Sequence, residues 1–227
     1  MEEKVIEIIL RVIMVMILMI SVGCVDNSNE LITDEFNREF DVPTDLPTFH
    51  TVSMIGDSRF ISHGGSILRK AIKKNSSNNL IFVGSLQDTY GYNHDAVGGS
   101  NSANLIARYD DIPLADIYII MFGTNDNDLQ TSINTISFII TEKLAQGSKV
   151  YYCAETPRND HGDGNHIRRA NSIAQMFQGV EGFEMIDLRT PLLNDDGTFN
   201  DELYRDHVHP NSDGGKIMGR EIANKLN

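Results

Sequence analysis

Cysteine, tryptophan and basic residues are scarce in this sequence of 227 residues. It has no tryptophan and only two cysteines. The set of several disulfides that stabilises many small secreted domains is therefore excluded. The 19 lysines and arginines are outnumbered by 32 acidic residues, which gives a formal net charge of −13. Because such an acidic chain lacks the basic surface that nucleic acid requires, we expect no nucleic-acid partner.

The sequence also lacks the motifs of several large enzyme classes. It contains no Gly-x-Ser-x-Gly elbow, no phosphate-binding Gly-x-x-x-x-Gly-Lys loop and no Cys-x-x-Cys pair. His207 and His209, with His161 and His166 elsewhere, could be imagined as zinc ligands. However, no paired cysteine and no His-Glu-x-x-His helix accompanies them. We therefore expect neither a metal nor another cofactor.

A long apolar run is missing as well. The run at residues 12–20 is shorter than the roughly 18 apolar residues that span a membrane. Lys4 and Arg11 flank its start and small residues separate it from Cys24, which is typical of a secretory signal segment. The pattern resembles the cleavage site of bacterial lipoproteins, with residues 1–23 as signal peptide and Cys24 as the lipidated first residue.

Two departures from the lipoprotein pattern leave alternatives open. Ser21 is not the usual residue three places before the cysteine, and several glutamates make the first residues unusually acidic. The alternatives are an uncleaved anchor helix over residues 5–22 or a secreted protein. We expect an exported protein that is tethered to the outer face of a bacterial membrane.

The rest of the chain divides into a tether and one domain. Residues 24–48 are rich in Asp, Glu and Asn and show little hydrophobic periodicity, which predicts an acidic flexible tether. In residues 49–227, apolar strand-like runs alternate with helical patterns, which predicts a doubly wound α/β domain with helices on both faces of a parallel sheet. The predicted strands are residues 51–56, 80–84, 116–122, 149–155 and 183–188, and the predicted helices are residues 59–74, 102–108, 129–146, 165–178 and 212–226.

Three short motifs, far apart in the sequence, contain the residue types of an acyl-transfer site. They are Gly56-Asp57-Ser58, Gly123-Thr124-Asn125-Asp126 and Asp206-His207-Val208-His209-Pro210. A serine is a weak nucleophile unless a histidine takes its proton, and that histidine needs a carboxylate to fix its tautomer. Ser58 follows a predicted strand and begins a predicted helix, so it would face free backbone N–H groups. Its alternative role is that of a simple helix N-cap.

The C-terminal motif contains two candidate bases. Asp206 and His209 are three residues apart, so one tight turn brings their side chains together. His207 is adjacent to Asp206 and should point away from it, which makes His209 the predicted base. The alternative is an acidic surface loop with two solvated histidines.

The middle motif predicts an oxyanion donor. Asn125 follows a predicted buried strand, at the sheet edge where sites form in open parallel sheets. Its side-chain N–H could stabilise negative charge that develops on an ester oxygen. The alternative role for Asn125 is an Asx turn. A second donor should be a backbone N–H in a glycine loop.

Together, the three motifs resemble the SGNH (GDSL-type) hydrolases, from about Thr51 to the C-terminus. This resemblance implies a flavodoxin-like three-layer α/β/α sandwich with a five-stranded, mainly parallel sheet, and a monomer without a cofactor. It implies that Ser58, Asp206 and His209 form the catalytic triad. The oxyanion hole would comprise Ser58, Gly99 and Asn125.

Two further stretches are similar to the acetyl xylan esterase branch of these hydrolases. They are Phe82-Val83-Gly84-Ser85 and the loop that runs from His94 to Gly99. The sequence departs from that branch where Asp95 and Ala96 replace an expected Glu and Gly, and where Arg59 follows the nucleophile. We expect His94 and Arg59 to contact substrate, with Arg59 favouring polar or anionic substrates. Alternatively, Arg59 is a solvated residue of the first helical turn.

The resemblance implies a serine esterase that hydrolyses O-acyl, most simply O-acetyl, esters of carbohydrate. The alternatives are a lysophospholipase or thioesterase-type lipid hydrolase and an O-acyltransferase with the same triad. An inactive glycan-binding domain is a third possibility. The expected partners are an acylated carbohydrate and, through the N-terminal segment or its lipid, a membrane.

Overall fold

A computed structural model of the protein describes residues 48–61, 63–160 and 162–227. The predictions for the signal peptide, for lipidation at Cys24 and for the tether up to Pro47 lie outside these residues. Within them, seven strands form one sheet and six α-helices pack around it. In chain order these elements are β1 (Phe49–Gly56), α1 (Ser58–Ile61), α2 (His63–Asn75), β2 (Asn79–Val83), β3 (Leu86–Gln87), β4 (Asn93–Ala96), α3 (Ser102–Ala107), β5 (Ile117–Met121), α4 (Leu129–Ala145), β6 (Lys149–Ala154), α5 (Asp163–Met176), β7 (Phe183–Asp187) and α6 (Ser212–Leu226). Short 3₁₀ turns occur at Tyr109–Asp111, Thr190–Leu192 and Asp201–Leu203.

Five long strands form the parallel part of the sheet, in the order β2-β1-β5-β6-β7. β5 is buried along its whole length, as expected for an apolar run at the centre of a parallel sheet. The first of these strands, β1, lies inside the sheet, and later strands are added on both sides of it, which is the flavodoxin-like order. The predicted doubly wound α/β fold is therefore confirmed.

Two apolar clusters fill the space between the sheet and its helices. On one face, Leu68 and Ile72 of α2 and Met218 and Ile222 of α6 pack against β1 and its neighbours. On the other face, the isoleucines of α4 and Ile173 of α5 pack against side chains of β5 and β6. Each element presents one apolar face to the sheet, so three layers result.

The edge of the sheet beside β1 differs from the expectation, because two further short strands occur there. β2 pairs with the first half of β1, and β4 takes its place beside Ile55 and Gly56. β3 then pairs with β4 in the antiparallel direction. Gly84 lies between β2 and β3, and a Cβ at this position would lie 2.3 Å from the carbonyl carbon of His94. Only glycine therefore lets the chain pass so close to β4.

The carboxyl ends of β1, β4, β5 and β6 meet at one edge of the sheet. The three motifs and the glycine loop after β4 lie at or near this edge. No helix among the described residues has both the length and the apolar character needed to cross a membrane.

Candidate active site

The nucleophile motif forms a sharp turn between β1 and α1. A Cβ on Gly56 would lie 2.6 Å from the Phe60 ring and 2.9 Å from the carbonyl oxygen of Met121, so a larger residue would displace one of them. Phe60 N–H donates to the carbonyl oxygen of Asp57 at 3.1 Å, which starts the helix one residue before Ser58. Ser58 is half-buried at this turn. The turn thus directs its hydroxyl to the edge of the sheet.

Ser58, His209 and Asp206 form a continuous chain of hydrogen bonds. Ser58 Oγ lies 2.8 Å from His209 Nε2, and His209 Nδ1 lies 2.9 Å from each carboxyl oxygen of Asp206. This is the relation between nucleophile, base and orienting carboxylate that acyl transfer requires. The side chain of His207 is exposed, and its carbonyl oxygen accepts a hydrogen bond from Asn159 N–H at 2.9 Å. The structure therefore brings His209, rather than His207, to Ser58.

The Asp206 carboxylate is stabilised in its charged form. Its Oδ1 accepts the backbone N–H groups of Val208 and His209 at 2.9 and 2.8 Å. Partial burial would raise the pKa of Asp206, but these bonds and the His209 ring lower it to about 2. A permanently ionised carboxylate keeps a proton on His209 Nδ1, which leaves Nε2 free to accept the serine proton.

The loop that contains Asp206 and His209 is held at both ends. Arg205 N–H donates to the carbonyl oxygen of His209 at 3.0 Å, and a β-bridge joins Tyr204 to Pro210. Asn211 then caps α6 by accepting the N–H groups of Asp213 and Gly214 at 2.9 and 3.2 Å. This bracing limits the freedom of the histidine.

Asn125 lies in the turn after β5, which Asp126 N–H closes on the carbonyl oxygen of Gly123 at 3.2 Å, and its side chain contacts the glycine loop. Its side-chain nitrogen donates to the carbonyl oxygen of Ser100 at 3.0 Å. A primary amide has two N–H groups, so the second one remains for a ligand. The next residue, Asp126, accepts the N–H and the hydroxyl of Ser102, both at 2.9 Å. The Asn125 loop is thus fixed to the start of α3.

The glycine loop lies beside the nucleophile turn. Val97 N–H donates to the carbonyl oxygen of Gly56 at 3.1 Å, which joins the loop to the end of β1. Gly99 has a φ of +69°, a left-handed conformation that side-chain-bearing residues rarely adopt. It is exposed, with open space where a Cβ would lie. The backbone of Ser58, the backbone of Gly99 and the side chain of Asn125 therefore lie on neighbouring loops at one sheet edge.

Both interpretations of Arg59 are wrong. The residue is 1 % exposed, and its guanidinium forms ion pairs with Asp57 at 2.9 Å and Glu155 at 3.3 Å. The chain turns inward immediately after Ser58, so Arg59 points into the protein. It neither borders a substrate nor lies in solvent.

His94 lies on β4 and is 5 % exposed, at the wall of an open depression of about 400 Å³. Its Nδ1 accepts the N–H of Ala96 at 3.2 Å. Burial, followed by the charge of Arg69, lowers the pKa of His94 to about 4, so the ring is neutral at pH 7. With Nδ1 accepting, the ring proton is on Nε2, which can donate a hydrogen bond.

Asp95, which departs from the acetyl xylan esterase pattern, is a buried scaffold residue. Its carboxylate accepts the hydroxyl of Ser53 at 2.8 Å and both the N–H and the hydroxyl of Ser85 at 2.9 Å. It therefore joins β1 and β4 to the segment after Gly84.

A set of charged residues that the three motifs do not reveal lies beneath the site. Glu155 follows β6 directly and is 1 % exposed, in contact with Arg59, His166 and Arg169. The signal in the sequence is a lone acidic residue at the carboxyl end of an otherwise apolar strand. Among the described residues, no group of three metal-ligating side chains is arranged to hold an ion.

Comparison with known proteins identifies the family. The family model described as GDSL-like Lipase/Acylhydrolase matches residues 54–217. A search of curated protein sequences finds no match.

Solved structures with the same fold include several esterases. A carbohydrate esterase of family 3 from Talaromyces cellulolyticus is 21 % identical, with 78 % of this chain and 95 % of that one covered and a TM-score of 0.56. An acetylxylan esterase from Geobacillus stearothermophilus is 14 % identical, with 78 % and 94 % covered and a TM-score of 0.61. An acetyl esterase that was solved with acetate is 19 % identical, with 78 % and 95 % covered and a TM-score of 0.60. The chain therefore belongs to the GDSL-like lipase/acylhydrolase family and is a serine hydrolase of the esterase type.

Proposed function

We propose that this protein removes O-acyl groups, chiefly O-acetyl groups, from carbohydrate through an acyl-enzyme on Ser58. The observation on which the proposal rests is the hydrogen-bonded chain from Ser58 Oγ through His209 to Asp206. Ser58 Oγ attacks the ester carbonyl carbon while His209 Nε2 takes its proton, and Asp206 stabilises the imidazolium that forms.

The oxyanion of the tetrahedral intermediate accepts hydrogen bonds from Ser58 N–H, Gly99 N–H and Asn125 Nδ2. When the intermediate collapses, His209 returns its proton to the departing sugar hydroxyl, and the acyl group stays on Ser58. Water then repeats the sequence in the second half-reaction, again with His209 as base, and releases the carboxylic acid.

The lining of the depression at His94 supports a carbohydrate substrate. It includes the hydroxyls of Ser66 and Thr89 and the amide of Gln87, beside apolar residues such as Leu86 and Val97. The lining also includes Ile61, the last residue of α1, and Gly98, which precedes Gly99. The hydroxyl and amide groups can bind the hydroxyls of a sugar, and the apolar side chains can contact its ring or a small acyl group.

The charge of the protein supports a neutral substrate. The net charge of −13 repels anionic polymers, and Arg59, which follows the nucleophile, is buried in ion pairs. Neutral acetylated glycans meet no such repulsion.

A substrate panel tests the proposal. The purified protein should hydrolyse acetylated xylo-oligosaccharides and aryl acetate faster than aryl octanoate or lysophospholipid. Ser58→Ala should lower kcat by roughly 10⁴-fold or more with the fold intact, because the nucleophile is lost. A fluorophosphonate should label Ser58 in the wild type. Labelling that persists in Ser58→Ala would refute the assignment of the nucleophile, and a preference for lysophospholipid would favour a lipid hydrolase instead.

We also propose that the protein acts outside the cell as a lipoprotein, because Cys24 follows a short apolar run and small residues. Expressed in a bacterium, the wild type should fractionate with membranes and Cys24→Ala should not. If Cys24→Ala stays in the membrane fraction, the lipid anchor is refuted in favour of an uncleaved N-terminal helix.

A further inference from the structure

Five charged or titratable side chains form a buried cluster beneath the triad, and the esterase chemistry above uses none of them. This buried charge cluster consists of Asp57, Arg59, Glu155, His166 and Arg169, each at most 2 % exposed. Two carboxyl groups face two guanidinium groups. Burial and the nearby charges of Arg59 and Arg169 lower the pKa of His166 to about 3, so this ring adds no charge at pH 7. The cluster is electrically balanced.

Glu155 lies at the centre of the cluster, directly after β6. Its Oε1 pairs with Arg169 Nη1. Its Oε2 lies 3.3 Å from Arg59 Nη2 and 3.0 Å from His166 Nε2. One carboxylate therefore joins two guanidinium groups that come from α1 and α5.

On one side, the cluster holds the loop that carries Asn125. Thr124 Oγ1 donates to Glu155 Oε2 at 3.2 Å, and Arg169 Nη2 donates to the carbonyl oxygen of Gly123 at 2.8 Å. Gly123 has a φ of +117°, and a Cβ there would lie 2.5 Å from Arg169 Nε. The two residues before Asn125 are therefore both fixed from below by charged groups.

On the other side, the cluster holds the turn that carries Ser58. Arg59 donates its backbone N–H and Nε to Asp57 Oδ1, both at 3.1 Å, and Nη2 to Oδ2 at 2.9 Å. Burial would raise the pKa of Asp57, but Arg59 lowers it, so the ion pair persists. Ser58 thus lies between two residues that are locked to each other and, through Arg59, to Glu155.

Buried ion pairs add little net stability, because desolvation cancels most of the attraction between the charges. Their directional hydrogen bonds do fix geometry, and an ångström of misplacement can cost an enzyme about 100-fold in rate. We propose that Glu155 and Arg169 are positioning residues, which hold the Asn125 loop at the distance from Ser58 that oxyanion binding requires. This inference rests on the proposed esterase function. Their loss should lower kcat and leave KM nearly unchanged, since the oxyanion exists only after binding.

A double-mutant cycle separates positioning from a structural role. Thr124→Val removes one hydrogen bond to Glu155 and leaves every charge of the cluster in place. In the full-length protein with aryl acetate, Thr124→Val should lower kcat about 10-fold and change KM less than about 2-fold. Asn125→Ala should lower kcat roughly 10²–10³-fold. In the Asn125→Ala background, Thr124→Val should then change kcat less than about 2-fold, because the donor that it positions is gone.

Two further variants complete the design. Glu155→Gln keeps the side-chain size and should lower kcat about 100-fold, again with far less effect in the Asn125→Ala background. Arg189→Gln is the matched control, since it removes a half-buried ion pair with Asp163 that lies outside the cluster. It should lower the melting temperature and leave kcat unchanged.

The positioning role would be overturned if Thr124→Val lowered kcat by the same factor in the wild type and in Asn125→Ala. It would also be overturned if Thr124→Val did not lower kcat in the wild type. If Glu155→Gln does not fold, Thr124→Val still tests the positioning role, because it disturbs no ion pair. A wild type without esterase activity would refute the proposed function and this inference with it. If the wild type is active and the effects of Thr124→Val and Asn125→Ala on kcat are additive, only the positioning role is refuted.

Discussion

At the scale of single residues, the two histidines of the C-terminal motif have opposite surroundings although one residue separates them. His209→Ala should be nearly as damaging as Ser58→Ala, because it removes the base. His207→Ala should be mild, because that side chain is exposed. Asp206→Asn should lie between the two, since Asp206 orients the imidazole and stabilises its charge without taking the proton. The kcat of each purified variant on aryl acetate measures this order.

The melting temperatures of the same samples provide the control. A loss of kcat at His209 should occur without a matching loss of stability, because the His209 side chain is half-exposed. A severe effect of His207→Ala with an active His209→Ala would reverse the assignment of the base.

The sequence predicted that Ser58, Asp206 and His209 lie together, but it did not predict the surroundings of Arg59. Ser58, Asp206 and His209 could be found because each lies in a short motif with local geometry. Arg59 was misjudged because its burial depends on Glu155, which is 96 positions away and which local periodicity does not reveal. Whether a long cationic side chain is buried or exposed depends on whether the fold supplies an acidic partner, which can be far away in the sequence.

At the scale of elements, α6 packs against α2 with little space between the two helices at Gly219. A Cβ on Gly219 would lie 2.5 Å from Ala71 Cβ and 2.6 Å from the carbonyl oxygen of Leu68. Gly219→Ala should therefore destabilise the protein by about 1–3 kcal/mol through overpacking, even though alanine is the better helix former. Urea denaturation measures the free energy of unfolding.

Arg220→Ala is the control for that substitution, because Arg220 is the next residue of α6 and is exposed. It should change the stability by less than about 0.5 kcal/mol. A Gly219→Ala variant as stable as the wild type would show that the two helices can move apart freely.

The five long strands and the predicted helices were found where apolar periodicity is strong, as in β5 and α4. β3 and β4 were not predicted as strands, because Asn93-His94-Asp95-Ala96 is short and polar and alternates no apolar residues. Such a segment becomes a strand only because β2 leaves the edge of β1 free beside Ile55 and Gly56. This unpaired edge exists only in the folded protein, and the preference of a segment for the strand conformation depends strongly on its tertiary surroundings.

At the scale of the whole molecule, two buried neutral histidines make stability depend on pH. The pKa values of His94 and His166 are lowered to about 4 and about 3 in the folded protein, from 6.5 in an unfolded chain. As the pH falls below about 6.5, the unfolded chain therefore binds protons that the folded protein does not, and the free energy of unfolding decreases. Each histidine contributes a slope of up to about 1.4 kcal/mol per pH unit in this window.

Melting temperatures between pH 7.5 and pH 5 test this dependence. They should fall with decreasing pH in the wild type and fall less steeply in His94→Gln. His207→Ala should leave the slope unchanged, because this side chain is exposed and lies apart from the two buried rings. A constant melting temperature from pH 7.5 to pH 5 would contradict the expected burial of the two rings.

Cys153 lies on β6, between β5 and the edge strand β7, and is fully buried. Burial raises the pKa of its thiol well above the usual value, so the group is inert while the sheet is closed. Because the chain has only one other cysteine, a Cys24→Ser variant contains a single thiol. A thiol reagent can reach it only when the layers that cover β6 separate, so the rate of modification reports how often the folded protein opens on this side of the sheet.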